Sequence, residues 1–339
     1  MKALVYTGPN SAEVRDVPAP SAKEGEVELD IQFCGVCGSD IGIYSGKHPR
    51  AKAPLVFGHE FLGRLTADGK RLRKGDRVVA FPLLTCGKCL ACRTGNSHVC
   101  NDLHLIGIDR DGGMCERLCV DEDILFRVPD GVSDRAAVIT EPLAVIVRAI
   151  HQAGFMAMET AAVIGAGTMG ILTGIMLRYA GASKVFISDI SEGRLRLAEE
   201  LGMIPVDSTK EDVVETVKAA TGGEGCDVVF ECSGSAQAAS QITSVTRVRG
   251  RICIVSNPTT PHEVDLRQMS FKELSLVGTR VYTKEEFGQA VELTSTLMPQ
   301  LEKVVTHIVP LEAAGGVFDM IADPSNGTVK VAVDCRTDN

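Results

Sequence analysis

The sequence predicts an α/β protein of two domains, one rich in short β-strands and one built on a doubly wound parallel sheet. Three observations predict it. The chain has 339 residues, of which 45% are hydrophobic, too long for one core of ordinary size and apolar enough for two. Its rhythm changes near residue 140, from short β-like runs broken by Gly, Pro and Asp to apolar strands alternating with helix-length segments. In that second part the loop AAVIGAGTMG falls directly between a strand and a helix.

Taken in order, MKALVYTGP reads as a strand and a turn, so the mature chain is expected to start at Met1 without a secretory leader. VELDIQF, FLGRL, DRVVAFP, ERLCV and ILFRVP follow as short strands. From about Glu141 the elements are the strand TAAVIGAG, a helix through Leu177, the strand KVFISD, a helix at SEGRLRLAEELG, and the strands DVVFECSG and RGRICIVSN. Such alternation implies a parallel sheet with helices on both faces. After Val281 come one helix, KEEFGQAVELTSTL, and a final strand, TVKVAVDC. Thr160 to Leu177 carry no charge over 18 residues, the lower limit for a membrane span. The glycines within that run favour a buried strand and helix instead. A net charge of −9 without a long acidic run argues against nucleic acid or membrane as the main partner. Twelve cysteines in a leaderless chain point to a reducing, cytoplasmic setting, where clustered thiols bind metal more often than they pair.

Gly165, Gly167 and Gly170 form G-x-G-x-x-G, and the strand KVFIS ends at Asp189, nineteen residues past Gly170. This is where a dinucleotide-binding Rossmann unit places the acid that accepts from a ribose 2′-hydroxyl. Gly165 permits the tight turn, Gly167 the approach of a pyrophosphate, and Gly170 the close packing of helix on sheet. Thr168 and Met169 open the helix whose N-terminus faces the anion. Asp189 would repel a 2′-phosphate and so favours NAD over NADP, while Arg194, five residues on, argues the other way.

Two sets of metal ligands are suggested. Cys86, Cys89, Cys92 and Cys100 are spaced C-x2-C-x2-C-x7-C, and four thiolates around one zinc ion leave no open position, which makes the centre structural. Disulfides and an iron–sulfur cluster are the alternatives, although the ferredoxin run has a shorter last spacing and a proline where Asn101 stands. The second set is scattered: Cys37 in GVCGSD, His59 and Glu60 in FGHEFLG, and Glu141 in ITEPLA. One sulfur, one nitrogen and one or two oxygens suit a zinc ion with a place left for water or an alcohol oxygen. Spacing is silent on whether they meet.

Together and in this order, GVCGSD, GHE, the four-cysteine loop, EPLA and GAGTMG, with GDRV and DGG between them, resemble the zinc-dependent medium-chain dehydrogenase/reductase family along essentially the whole chain, and within it the polyol (sorbitol dehydrogenase-like) branch. The resemblance implies a GroES-like catalytic domain of residues 1–144 and 281–339, interrupted by a Rossmann NAD-binding domain of residues 145–280. It implies that Cys37, His59 and Glu141 border a catalytic zinc. Glu60 would be a direct or exchanging ligand, Asp40 the partner that orients His59, and Ser39 the hydroxyl beside the reacting oxygen. Ser39, or a water held by Glu60, would take the proton while NAD accepts the hydride. The resulting expectation is two zinc ions per chain, NAD, and a homodimer or homotetramer. The reaction expected is oxidation of a secondary alcohol of a polyol or sugar acid to the ketone. A threonine-type or simple-alcohol dehydrogenase is the second reading, and a non-catalytic redox sensor that binds NAD and zinc is the third.

Two positions depart from the family pattern. Many members carry a histidine five residues after the zinc cysteine, where this chain has Gly42, so the proton needs another exit, through water or His48. Where sorbitol-like enzymes read GSFRY with a substrate-binding arginine, this chain reads GTRVY. Val281 takes the place of that arginine and Arg280 comes one residue early, on the opposite face if the segment is a strand. Sorbitol is thereby disfavoured, and Arg280 becomes a candidate for a sugar acid or for cofactor phosphates. The other cysteines, Cys34, Cys115, Cys119, Cys226, Cys232, Cys253 and Cys335, read as small buried hydrophobes.

Overall fold

Alternation of apolar with polar residues, several of the apolar ones β-branched or aromatic, makes a strand of Glu26–Gly35 in the first part of the chain. The computed structural model describes residues 1–323 and 326–337. Two units emerge from its contacts, Met1–Ala144 with Tyr282–Asn339, and Val145–Val281. The seam after Val281 lies one residue beyond the expected boundary. A helix, Thr140–Ala153, starts in the first unit and runs on past Ala144.

Glu26–Gly35 is the hub of the first unit. One edge pairs antiparallel with Glu60–Leu65, and the other with Arg117–Asp121 and then with Lys330–Asp334. The sheet runs Leu125–Arg127, Arg77–Ala80, Glu60–Leu65, Glu26–Gly35, Lys330–Asp334, Val305–Pro310. Its register sets Gly35 opposite both Glu60 and Ala332, so segments from the start and end of the sequence meet at one point. A Cβ on Gly35 would stand 2.1 Å from a Glu60 carboxylate oxygen; only glycine leaves room for that side chain. Phe81, Tyr282 and Phe287 pack with ring centroids 5.5–5.8 Å apart, and Tyr282 is fully buried among them.

The second unit is a six-stranded, wholly parallel sheet. Its order is Ile204–Asp207, Lys184–Asp189, Thr160–Ile164, Cys226–Glu231, Thr246–Ile254, Ser275–Gly278. This is the Rossmann order 3-2-1-4-5-6. Near-continuous apolar strands are what a sheet covered on both faces requires, and Ala162, Phe186, Val229 and Ile252 pack there with Val217 and Ile242 from the helices Val213–Ala220 and Ala236–Val245. The uncharged run from Thr160 splits into the strand Thr160–Ile164 and the helix Thr168–Tyr179. Among the described residues no helix is long and apolar enough to cross a membrane. Arg280 and Val281 are not strand neighbours: the strand ends at Gly278, and Val281 has φ 39°, a left-handed conformation that a β-branched residue rarely takes. Arg280 is exposed there.

Candidate active site

The helix Gly38–Tyr44 begins immediately after Cys37, and the Cys37 backbone N–H donates to the Asp40 carboxylate at 2.8 Å. That cap fixes Cys37, Ser39 and Asp40 on one turn. His59 and Glu60 arrive at the start of the adjacent strand. Donor atoms of Cys37, His59 and Glu60 all lie within 4.8 Å of one another, which brings three of the scattered candidates together. His59 Nδ1 faces Asp40 at 3.9 Å, longer than a hydrogen bond, and neither that nitrogen nor Asp40 Oδ1 has a partner. The Ser39 hydroxyl is likewise buried and unpartnered. Burial opposes charge on His59, yet Cys37, Asp40 and Glu141 around it raise its pKa well above the usual value. The pocket asks for a cation, and a sulfur, a nitrogen and a carboxylate oxygen are a donor set that fits zinc with one position open.

Glu141 stands apart from that mutual set. Its carboxylate, in the first turn of Thr140–Ala153, accepts a hydrogen bond from the Tyr282 hydroxyl at 2.5 Å. Burial pushes its pKa up to about 7, and His59 pulls the other way. Glu60 has a partner too: the Lys330 ammonium lies 2.8 and 2.7 Å from its two oxygens, with Lys330 3% and Glu60 1% exposed. Motif reading finds neither partner. Lys330 looks like an outward position of an alternating strand, and Tyr282 lies beside the more conspicuous Arg280. The available signal was a lysine opening the largely apolar strand KVAVD.

Where a proton-passing side chain would stand, Gly42 has nothing within 4 Å of an added Cβ. Its carbonyl accepts from the N–H groups of Lys47 and His48, each at 3.0 Å. His48 Nδ1 accepts from Ala51 and Arg50 N–H groups at 3.2 and 3.4 Å, so its ring proton sits on Nε2. Burial, then the Arg50 charge, lower its pKa.

Cys86, Cys89, Cys92 and Cys100 form the second cluster. Sulfur pairs are 3.4, 3.5 and 3.8 Å apart. A disulfide requires about 2.05 Å, whereas a zinc tetrahedron with bonds of about 2.3 Å has edges of roughly 3.8 Å. The four residues are free cysteines, which removes the disulfide reading. Backbone N–H groups of Asn101 and Cys92 draw the Cys89 thiol down to about 6, toward the thiolate that metals bind. Of the seven cysteines outside both clusters, six are buried and Cys232 is partly so.

In the second unit Gly165 turns with φ 101°, and a Cβ on it would press on Ser233 at 2.9 Å. Gly170 is packed harder, its added Cβ falling 1.7 Å from the Gly165 carbonyl oxygen. Gly167, the N-cap of Thr168–Tyr179, opens on free space, the cradle a pyrophosphate fits. Thr168 and Met169 form the first turn. Asp189 ends its strand beside this loop and accepts from the Ala166 and Ser191 N–H groups at 2.7 and 2.9 Å. Arg194 lies on the following helix, Glu192–Glu200. The loop belongs to the strand Thr160–Ile164, paired with Cys226–Glu231 where the strand order reverses, the position at which such sheets bind ligands.

Known proteins agree with both units. The alcohol dehydrogenase GroES-like domain family matches residues 23–130, and the zinc-binding dehydrogenase family matches residues 168–296. A 2-dehydro-3-deoxy-L-galactonate 5-dehydrogenase of Pseudoalteromonas atlantica is 33% identical over the full length of both chains. An L-threonine 3-dehydrogenase of Bacillus subtilis is 35% identical over 97% of each. A zinc-binding dehydrogenase of Sinorhizobium meliloti 1021, solved bound to NADP, superposes with a TM-score of 0.91 at 29% identity and covers 98% of each chain. With both domain families matched in order and one-third identity sustained from end to end, the protein belongs to the zinc-dependent medium-chain dehydrogenase family, oxidoreductases that act on small molecules with a nicotinamide cofactor.

Proposed function

We propose that the protein is an NAD-dependent dehydrogenase that oxidises a secondary hydroxyl of a polyol or sugar acid to the ketone. The observation that carries this reading is the Cys37, His59 and Glu60 cluster with the unpartnered Ser39 hydroxyl on the turn that follows Cys37. Those three residues would hold zinc, which when bound polarises a substrate hydroxyl as a Lewis acid. Ser39 Oγ has both a donor and an acceptor to offer a substrate hydroxyl and nothing else to spend them on, so it receives the proton there. Ser39 passes its own hydroxyl proton on as it takes this one, and water over Gly42 is the exit toward solvent, because His48 already carries its ring proton on Nε2 and its Nδ1 is engaged by the Ala51 and Arg50 N–H groups. Asp189, beside the glycine loop, supports NAD through repulsion of a 2′-phosphate. The relative from Pseudoalteromonas atlantica supports the substrate class, since it is a 2-dehydro-3-deoxy-L-galactonate 5-dehydrogenase. The threonine dehydrogenases among the relatives favour a second reading, oxidation of the threonine hydroxyl. A panel of sugar acids, polyols, threonine and short alcohols, each assayed with NAD and with NADP by the absorbance of the reduced cofactor, decides between them. Turnover on threonine alone overturns the polyol or sugar-acid reading, and a preference for NADP overturns the role of Asp189.

A further inference from the structure

We propose that Glu231 sets the preference of the second unit for the oxidised over the reduced nicotinamide cofactor, by holding a fixed negative charge in the nicotinamide half of the site. The inference rests on the reading of this unit as an NAD site. Glu231 ends the strand Cys226–Glu231 and is 3% exposed. One carboxylate oxygen accepts from the Ser233 and Gly234 N–H groups at 2.9 and 2.8 Å and from the Ser233 hydroxyl at 2.7 Å, and the other accepts from the Ser256 hydroxyl. All four donors are neutral amides or hydroxyls, so they satisfy the carboxylate without cancelling its charge.

Strand order decides which part of the cofactor meets that charge. Asp189 ends the strand on one side of Thr160–Ile164, and Glu231 ends the strand on the other. A dinucleotide that meets Asp189 with its adenosine ribose and Gly167 with its pyrophosphate has its second nucleotide over the other half of the sheet, the half that Cys226–Glu231 begins. The loop that Glu231 organises also reaches the glycine loop, since a Cβ on Gly165 would stand 2.9 Å from the Ser233 side chain. NAD and NADH share every group except the nicotinamide ring, which carries one positive charge when oxidised and none when reduced. A buried carboxylate in that half therefore tells them apart. Two unit charges about 12 Å apart, at an effective dielectric constant of about 20, interact by the equivalent of a tenfold change in an equilibrium constant. The sign favours retention of NAD and release of NADH, which suits a dehydrogenase working toward the ketone.

Emission of NADH follows its binding to the zinc-loaded protein, and its displacement by NAD gives the second dissociation constant in the same titration. Glu231→Gln keeps the shape of the side chain: its amide oxygen can accept from the Ser233 and Gly234 N–H groups while its amide nitrogen donates to Ser256. This variant is expected to raise the Kd for NAD relative to that for NADH by about tenfold. A merely structural role would move both dissociation constants by the same factor and leave their ratio alone. Glu231→Asp, shorter but still charged, is expected to weaken both cofactors and to keep the wild-type ratio. If Glu231→Gln does not fold, Glu231→Ser removes the charge and leaves a hydroxyl for the loop, and the ratio is expected to move in the same sense. An unchanged ratio in the folded, uncharged variant overturns the proposal. Absence of NADH binding to the wild type overturns the NAD reading itself, a distinct failure.

Discussion

Ser39 presents a hydroxyl that is buried and makes no hydrogen bond, an arrangement that costs about 1–3 kcal/mol wherever it occurs. Ser39→Ala removes the unsatisfied group and leaves the backbone of the capping turn alone. Its unfolding free energy in urea is expected to match or exceed that of the wild type by up to about 1 kcal/mol, while kcat falls by about 10²-fold or more, the usual weight of a proton-transfer group. Unaltered turnover would take Ser39 out of the chemistry. This opposition of stability and activity separates a functional residue from a merely buried one. The candidate ligands Cys37, His59 and Glu60 were legible through the resemblance that GVCGSD and GHE carry, since spacing alone does not bring them together. Their partners were not: Lys330 is 270 positions from Glu60, and Tyr282 is 141 from Glu141. A residue whose role is set by sheet register has no local signature. Arg280 is the reverse case, a conspicuous residue whose supposed strand ends at Gly278 and which stands exposed beyond it.

At the scale of the element, the glycine loop divides into positions needed for folding and a position needed for binding. Gly167 has φ −69° and open space where a Cβ would go, so Gly167→Ala is expected to fold with an unchanged Tm. Its methyl group stands where the pyrophosphate approaches the helix N-terminus, and the affinity for NADH is expected to drop by roughly tenfold, about 1.4 kcal/mol. Gly170→Ala meets backbone only 1.7 Å away and is expected to lose about 3 kcal/mol or more of stability. Because the chain contains no tryptophan, the emission of NADH follows binding, and calorimetry gives both Tm values. Loss of NADH binding with no change in Tm at both positions would contradict this division. The longer strands of this unit and the helices Thr168–Tyr179 and Glu192–Glu200 were readable from their alternation, whereas the helix Ala236–Val245 was not. Ile204–Asp207 and the helix Val213–Ala220 were not: the first is four residues long with Pro205 inside it, and the second has only Val213 and Val217 buried, too few to set a period.

Across the whole molecule, the region of the four clustered cysteines stands out for how little apolar surface it buries. Leu90–Arg93 has no buried residue, and Ser97–Val99 contributes only His98. An ion held by four thiolates would supply the cohesion that side-chain packing does not. Metal analysis is expected to find two zinc ions per chain. Cys89→Ser should retain about one, with a lower Tm and with turnover preserved at low temperature. One ion in the wild type, lost on this substitution without any loss of activity, would refute the two-site scheme.

The other site has a history as well as a geometry. Glu60 and Lys330 are separated by 270 residues, which a ribosome adds in roughly 15–50 s at 5–20 residues per second. For that interval the chain contains Cys37, His59 and Glu60 but not the lysine whose ammonium faces the Glu60 carboxylate in the finished protein. The charge balance of this site is therefore completed only when the last strand pairs with Glu26–Gly35 and brings the Lys330 ammonium to Glu60.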